Sequence, residues 1–207
     1  MLELDHVLLA VTDLAAAGKE IESRYGLASV EGGRHPAWGT ANRIVPLGET
    51  YLELIAVVDP EIAAGDPVGR WVTSGESASP RPLGWAVRTT HLDEIARRLD
   101  LPMHAGSRAT PGGEILRWRH AGLDRAIAEP PLPFFIQWDP QTKLPGRSAM
   151  RHPAGDARIS RLDIAGDPGR MGRWLGEHQL PIVVVSGKAA ITAVHLSTDA
   201  GEVVLGG

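Results

Sequence analysis

Residues 32–54, GGRHPAWGTANRIVPLGETYLEL, hold the densest polar chemistry in the chain. His35, Trp38, Thr40 and Asn42 fall in the first half, read as a glycine-flanked loop. Two strands follow, near 41–47 (ANRIVPL) and 50–58 (TYLELIAVV), with Gly48-Glu49 as the hairpin turn. The second strand places one carboxylate, Glu53, inside an apolar run. Working outward, residues 2–11 are β-rich and stop at Thr12-Asp13, a helix N-cap signal. Residues 14–25 carry Leu14, Ala17, Ile21 and Tyr25 at helical spacing, and Gly26 follows as a C-cap. The first unit, residues 1–58, is therefore strand, helix, then two or three strands.

That order recurs, and recurrence decides the architecture. Residues 59–81 read as a short helix and a connector in which Trp71 is the sole large ring. The second unit, 82–139, has a strand at 83–89, a helix at 92–99, and strands at 113–120 and 134–138. Residues 106–113 read as a turn, and 139–157 as a linker rich in Pro, Gly and charge. A third pass predicts a strand at 158–165, a helix from Asp167-Pro168 to about His178, and strands at 181–186, 190–197 and 202–205. The expectation is an α+β protein: a two-unit domain over 1–140, then a third strand-helix-strand-strand-strand unit over 156–207.

Composition narrows the function. A formal net charge of -4 argues against a general nucleic-acid binder, which carries a basic face. The chain has no cysteine, so disulfides, thiolate metal sites and cysteine nucleophiles are excluded. The opening MLELDHVLLAV holds Glu3 and Asp5 and no basic region, so it does not read as a secretion signal. No run approaches the ~18 apolar residues of a membrane span, and a cytoplasmic protein is expected. A GxSxG elbow and a Walker loop are absent, and His104, His120, His152 and His195 match no metal spacing.

Strand alternation puts His6 on one face with Leu4 and Leu8, and Glu53 on one face with Tyr51 and Ile55. Both then point inward. A buried carboxylate without a partner is costly, and a cation or histidine in the same cavity removes that cost. The residues leave a second reading open: a neutral core His6, with Glu53 on a solvated sheet face. His35 reads as a ligand or general base at the cleft mouth, or as a loop histidine bonded to backbone. Thr40 and Asn42 offer donors to a substrate oxygen, or cap a turn. Trp38, Trp118, Trp138, Phe134 and Phe135 line a pocket or fill a core. Arg117 and Arg119 receive a carboxylate or sit on a solvated face. His91 and His178 read as helix-terminal surface residues.

On Leu4-Asp5-His6-Val7, GGRHPAWGTANRIVPL, Tyr51-Leu52-Glu53-Leu54 and Pro133-Phe134-Phe135-Ile136, the chain resembles the vicinal oxygen chelate superfamily, and within it the glyoxalase-like proteins. The resemblance covers residues 2–138; over 158–205 it is topological only. It implies repeated βαβββ units forming curved mixed sheets around a cleft, as in glyoxalase and dihydroxybiphenyl dioxygenase. It implies a divalent metal in the cleft, held by His6, Glu53 and either Gln137 or His35; Zn, Ni, Mn or Fe suits such donors. Gln137 corresponds to Glu53 in the second unit, and about Trp85, which cannot ligate, corresponds to His6. Glu53 and His35 are the implied catalytic residues. Trp38, Thr40, Asn42, Trp118, Phe135 and Gln137 are the implied substrate contacts. The implied activity is that of a lyase, isomerase or dioxygenase on a carbonyl or vicinal-oxygen compound. The alternative is a metal-free protein that sequesters drugs between aromatic rings. A small molecule is the expected partner, with no nucleic acid and no membrane. The third unit's exposed sheet edge is expected to pair across a homodimer or to fold over the cleft.

Overall fold

The computed structural model describes residues 1–206. The first unit is β1 (Leu2–Ala10), α1 (Leu14–Tyr25), β2 (Val30–His35), β3 (Thr40–Leu47) and β4 (Thr50–Val57). Helix α1 starts where the Asp13 side chain accepts from the Ala16 backbone N–H, and ends at Gly26, whose φ of 67° suits the left-handed cap. Two helices, α2 (Pro60–Gly65) and α3 (Pro67–Gly75), fill the expected connector. Each begins with an Asp cap followed by proline. The second unit is β5 (Arg81–Thr89), α4 (Leu92–Leu99), β6 (Met103–Ala109), β7 (Ile115–Ala121), α5 (Leu123–Ala128) and β8 (Phe134–Trp138).

Two readings of the chain change here. The glycine-flanked loop holding His35 is largely strand, since β2 runs to His35. The supposed turn at 106–113 is mostly β6, an edge strand paired with β7 from Met103–Ala121 to Ala109–Ile115. Its sequence, MHAGSRA, lacks the apolar alternation that marks a half-buried strand.

These eight strands form one mixed sheet in the order β2-β3-β4-β1-β5-β8-β7-β6. Each unit contributes a half in the same arrangement, and β1 meets β5 antiparallel at the centre. The sheet curls until its two edges approach. Gly33 lies against the Ala109 carbonyl and the Arg108 side chain, where a Cβ would collide. Arg108 Nη1 donates to the Gly32 carbonyl at 2.8 Å across this seam. The result is a nearly closed, α+β barrel-like sheet with a concave interior.

The third segment is β9 (Ala157–Gly166), α6 (Pro168–Leu175), β10 (Ile182–Ser186), β11 (Ala190–Thr198) and β12 (Gly201–Leu205). Its element order is strand-helix-strand-strand-strand, but its sheet order is β10-β9-β11-β12. Here the opening strand sits inside the sheet and pairs parallel with the strand just after the helix. In the other two units the opening strand pairs parallel with the closing one. This segment is thus not a third copy of the same sheet. It does not cover the cleft either. Leu162, Ile164, Val194 and Leu196 join the core behind the large sheet, with Ile21 of α1, Leu92 of α4 and Trp174 of α6. Trp174 packs on Phe135 at 5.7 Å between ring centroids, and its Nε1 donates to the Pro133 carbonyl. Among the described residues no helix is long and apolar enough to cross a membrane.

Candidate functional site

The concave face of the sheet carries the cleft. Its lining includes His6 and Leu8 of β1, His35 of β2, Tyr51, Glu53 and Ile55 of β4, and Trp71 of α3. From the second unit come Arg108, Trp118, His120, Phe134, Ile136 and Trp138. The open space is about 50 Å³, room for a few waters.

The opening strand does not alternate cleanly. In its pairing with β5 the register passes from Leu4–Val87 to His6–Ala86, so Asp5 is an extra, bulged residue. Leu4 therefore packs in the core behind the sheet, while Leu8 faces the cleft. The expectation that Leu4 shares a face with His6 is corrected by this bulge. Its consequence is chemical. Asp5 and His6, adjacent in sequence, both turn to the concave side, and His6 Nδ1 lies 2.6 Å from Asp5 Oδ1. A carboxylate accepts, so Nδ1 carries the proton and Nε2 is the nitrogen presented to the cavity. Asp5 Oδ2 accepts from Trp138 Nε1 at 2.9 Å, and Arg88 Nη1 stands 3.7 Å away.

His6 Nε2 lies 3.5 Å from Glu53 Oε2. The opening-strand imidazole and the closing-strand carboxylate thus meet, both nearly excluded from solvent. Glu53 Oε1 accepts from Asn42 Nδ2 at 2.6 Å. Asn42 Oδ1 lies tight against Gly32, where any Cβ would displace it, and has no partner among the described residues. Tyr51 stacks on His6, 4.6 Å between centroids at 17°. Burial first, then the neighbouring Asp5 and Glu53 charges, pushes the Tyr51 phenol well above its ordinary range. It remains a hydroxyl donor at any working pH.

His35 Nδ1 pairs with Thr40 Oγ1 at 3.1 Å, and the His35 ring sits 5.0 Å from that of Trp38. Burial holds His35 down to about 4; Glu53 opposes that shift and Arg108 adds to it. His120 is also held down to about 4, mainly by burial and then by His104. Both rings are neutral at physiological pH.

The candidate residues therefore separate by position. His6, Glu53, His35, Trp38 and Trp118 line the cleft. Thr40 and Asn42 stand behind it, as the partners that orient His35 and Glu53. Phe135 and Gln137 do not reach it. Alternation on β8 sends Phe134 and Ile136 inward, and Phe135 into the core behind the sheet. Gln137 faces outward too, where its Oε1 accepts from Arg119 Nη2 at 2.7 Å. Arg119 is engaged by Asp93 at 2.9 Å on that outer face.

Register also corrects the second-unit counterparts. His6 is level with Tyr51, and Leu8 with Glu53. In the other half Ala86 is level with Phe134, and Arg88 with Ile136. The positions mirroring His6 and Glu53 are thus Ala86 and Ile136, one residue from Trp85 and Gln137. Trp85 is fully buried behind the sheet, donating Nε1 to the Pro131 carbonyl.

A glyoxalase-like domain family matches residues 4–178. The chain belongs to that family. No curated protein matches it by sequence. Among solved structures, a hypothetical protein from Staphylococcus aureus superposes with a TM-score of 0.70 at 14% identity, covering 99% of this chain and 98% of that one. Methylmalonyl-CoA epimerase from Mycobacterium tuberculosis gives 0.45 at 23% identity, covering 68% of this chain and 89% of that one. The Streptomyces coelicolor epimerase in complex with 2-nitronate-propionyl-CoA gives 0.46 at 18%, covering 65% and 95%.

For a glyoxalase-like cleft the donor set here is short. Catalytic metal sites of nitrogen and oxygen donors hold the ion with three protein ligands. His6 and Glu53 supply two, Ala86 and Ile136 supply none, Gln137 is turned away, and His35, although it lines the cleft, pairs with Thr40 and does not gather with the first two into a three-donor group. Among the described residues no three His, Asp or Glu side chains gather closely enough to hold an ion. The residues present do not fit the implied metal.

Four polar members of the site, and Trp71 of the connector, were not among the sequence candidates. Tyr51, Arg108 and His120 line the cleft, and Asp5 orients His6. His120 could have been found, because it stands two residues from Trp118 on the same strand. Asp5 could not, because a bulge leaves no mark in composition.

Proposed function

We propose that the cleft catalyses proton transfer on a small carbonyl compound, as an isomerase or lyase, using its own side chains. The observation that carries this reading is the buried Asp5–His6–Glu53 relay, with 2.6 Å and 3.5 Å between successive groups. Glu53, steadied by Asn42, takes a proton from the carbon next to the carbonyl. The C–H electron pair moves onto the carbonyl oxygen, which accepts a hydrogen bond from the Tyr51 hydroxyl. His6 Nε2 accepts the proton from Glu53 and returns it to substrate, and Asp5 stabilises the imidazolium in between. The test is solvent-deuterium incorporation into a panel of small 2-oxo acids and ketones, followed by NMR. Exchange that is lost in Glu53→Gln and His6→Gln supports the proposal; exchange indifferent to both sinks it. Elemental analysis of the active protein runs beside it. A stoichiometric divalent ion that His6→Ala removes together with activity would replace this mechanism with a metal-dependent one.

One observation favours a second reading, a binding protein. Trp38, Trp71, Trp118 and Trp138 surround the cleft, a wall suited to planar ligands. Tight quenching by such ligands, with no turnover of any of them, would select it.

A further inference from the structure

Arg108 is the unexplained charge of the cleft. It is only 7% exposed, on edge strand β6, and borders the cavity beside His35 and Tyr51. A guanidinium stays charged and presents five donors in a planar fork. Burying it is costly unless a counter-charge and acceptors are supplied. Here one donor, Nη1, is used on the Gly32 carbonyl. Among the described residues no carboxylate comes within 4.0 Å of Arg108, whereas Arg88, Arg119, Arg147, Arg161 and Arg170 all have such partners. Its outer flank borders a groove holding Glu31 and Glu114, and neither reaches it. Glu53, the carboxylate that lines the cavity, is already engaged by Asn42 and faces His6. The remaining guanidinium donors have no protein partner among the described residues, on a side chain that the seam ties down at the cavity's border.

His120 adds an independent sign on the same wall. Its Nδ1 is buried with no partner among the described residues. A neutral imidazole then does best with its proton on Nε2, because a buried acceptor left unpaired is more tolerable than a buried donor.

We infer that the cleft takes a small molecule carrying an anionic group, a carboxylate or a phosphate, received by the Arg108 fork. This rests on the cleft being the ligand site, and it names the substrate class for the proton-transfer reading. It puts the anion on the second-unit wall and the reacting carbon on the first-unit wall, beside Glu53. The anion is not handled by Arg117 or Arg119, which the sequence offered, because that pair faces the outer side of β7.

The experiment follows guanidinium and indole N–H resonances of 15N-labelled protein during titration with oxalate, inorganic phosphate, propionate and neutral propionamide. Saturable shifts at the Arg108 Nε–H are expected, with propionate binding at least tenfold tighter than propionamide. Whichever of oxalate and phosphate binds more tightly identifies the group. Arg108→Gln is expected to abolish the preference for charge. Should that variant not fold, Arg108→Lys is read instead, and a tenfold weaker oxalate affinity is expected once the fork is gone. No saturable shift with any anion, or an affinity unchanged in the variant that folds, overturns the inference. Anion binding without any C–H exchange would sink the proton-transfer reading and leave this one standing; exchange on neutral carbonyls without anion preference would do the reverse.

Discussion

The two halves of the large sheet share an arrangement and differ in chemistry. In the first, β1 and β4 bring His6, Tyr51 and Glu53 to one spot. In the second, the same register brings Ala86, Phe134 and Ile136. Asp5, on a bulge, completes the first half, and Trp138 reaches back across the cleft to hold it. A duplicated scaffold thus need not duplicate its function. One half supplies acid–base groups, and the other supplies rings, a neutral histidine and a buried cation. The difference also accounts for a donor set limited to the first half, since Ala86 and Ile136 at the mirrored positions cannot ligate.

The sharpest break of this contrast is Glu53→Gln against Ile136→Val at the mirrored position. The first is expected to lower deuterium exchange by roughly two to four orders of magnitude, the usual worth of a general base. The second is expected to change it less than about threefold, with both rates read by NMR on one substrate. A second contrast lies across the sheet rather than along it. Trp174→Ala opens a void in the core behind the sheet and should cost about 3–5 kcal/mol in urea unfolding. Trp118→Ala, on the half-buried cleft wall, should cost under about 2 kcal/mol while weakening ligand binding.

The third prediction concerns pH. His35 and His120 are held at about 4, against 6.5 for a free histidine. The unfolded chain therefore binds more protons than the folded one between those values. Their contribution to stability is whole above pH 6.5 and is lost as pH falls toward about 4. Urea midpoints from pH 7.5 downward should reveal a loss on the order of a few kcal/mol, and His120→Phe should flatten the slope. The smallest effect is expected at Gln137. Because its amide lies on the outer face with Arg119, Gln137→Ala should leave ligand affinity unchanged and stability within about 0.5 kcal/mol.

Much of this was legible in local pattern. The helix over 14–25, the hairpin turning at Gly48-Glu49 and the inward Glu53 follow from periodicity and turn chemistry, which depend on neighbours within a few residues. The placement of His6 opposite Glu53 follows from alternation together with the repeat. Phe135 and Gln137 went astray by one position. A strand's faces exchange with every residue, so a motif aligned one place off reverses each side chain.

What remained was decided by contacts distant in the chain. The bulge that turns Asp5 toward His6 exists only in the pairing of β1 with β5, some eighty residues apart. Strand β6 carries no apolar signal, and becomes a strand because β7 pairs with its backbone, while its Arg108 side chain ties it to β2. Arg108 is buried only when that seam closes. The third segment repeats an element order whose sheet order differs, since connectivity does not state which strands pair. Local propensity and alternation are written residue by residue; which charge ends up buried, and beside what, depends on how distant strands close.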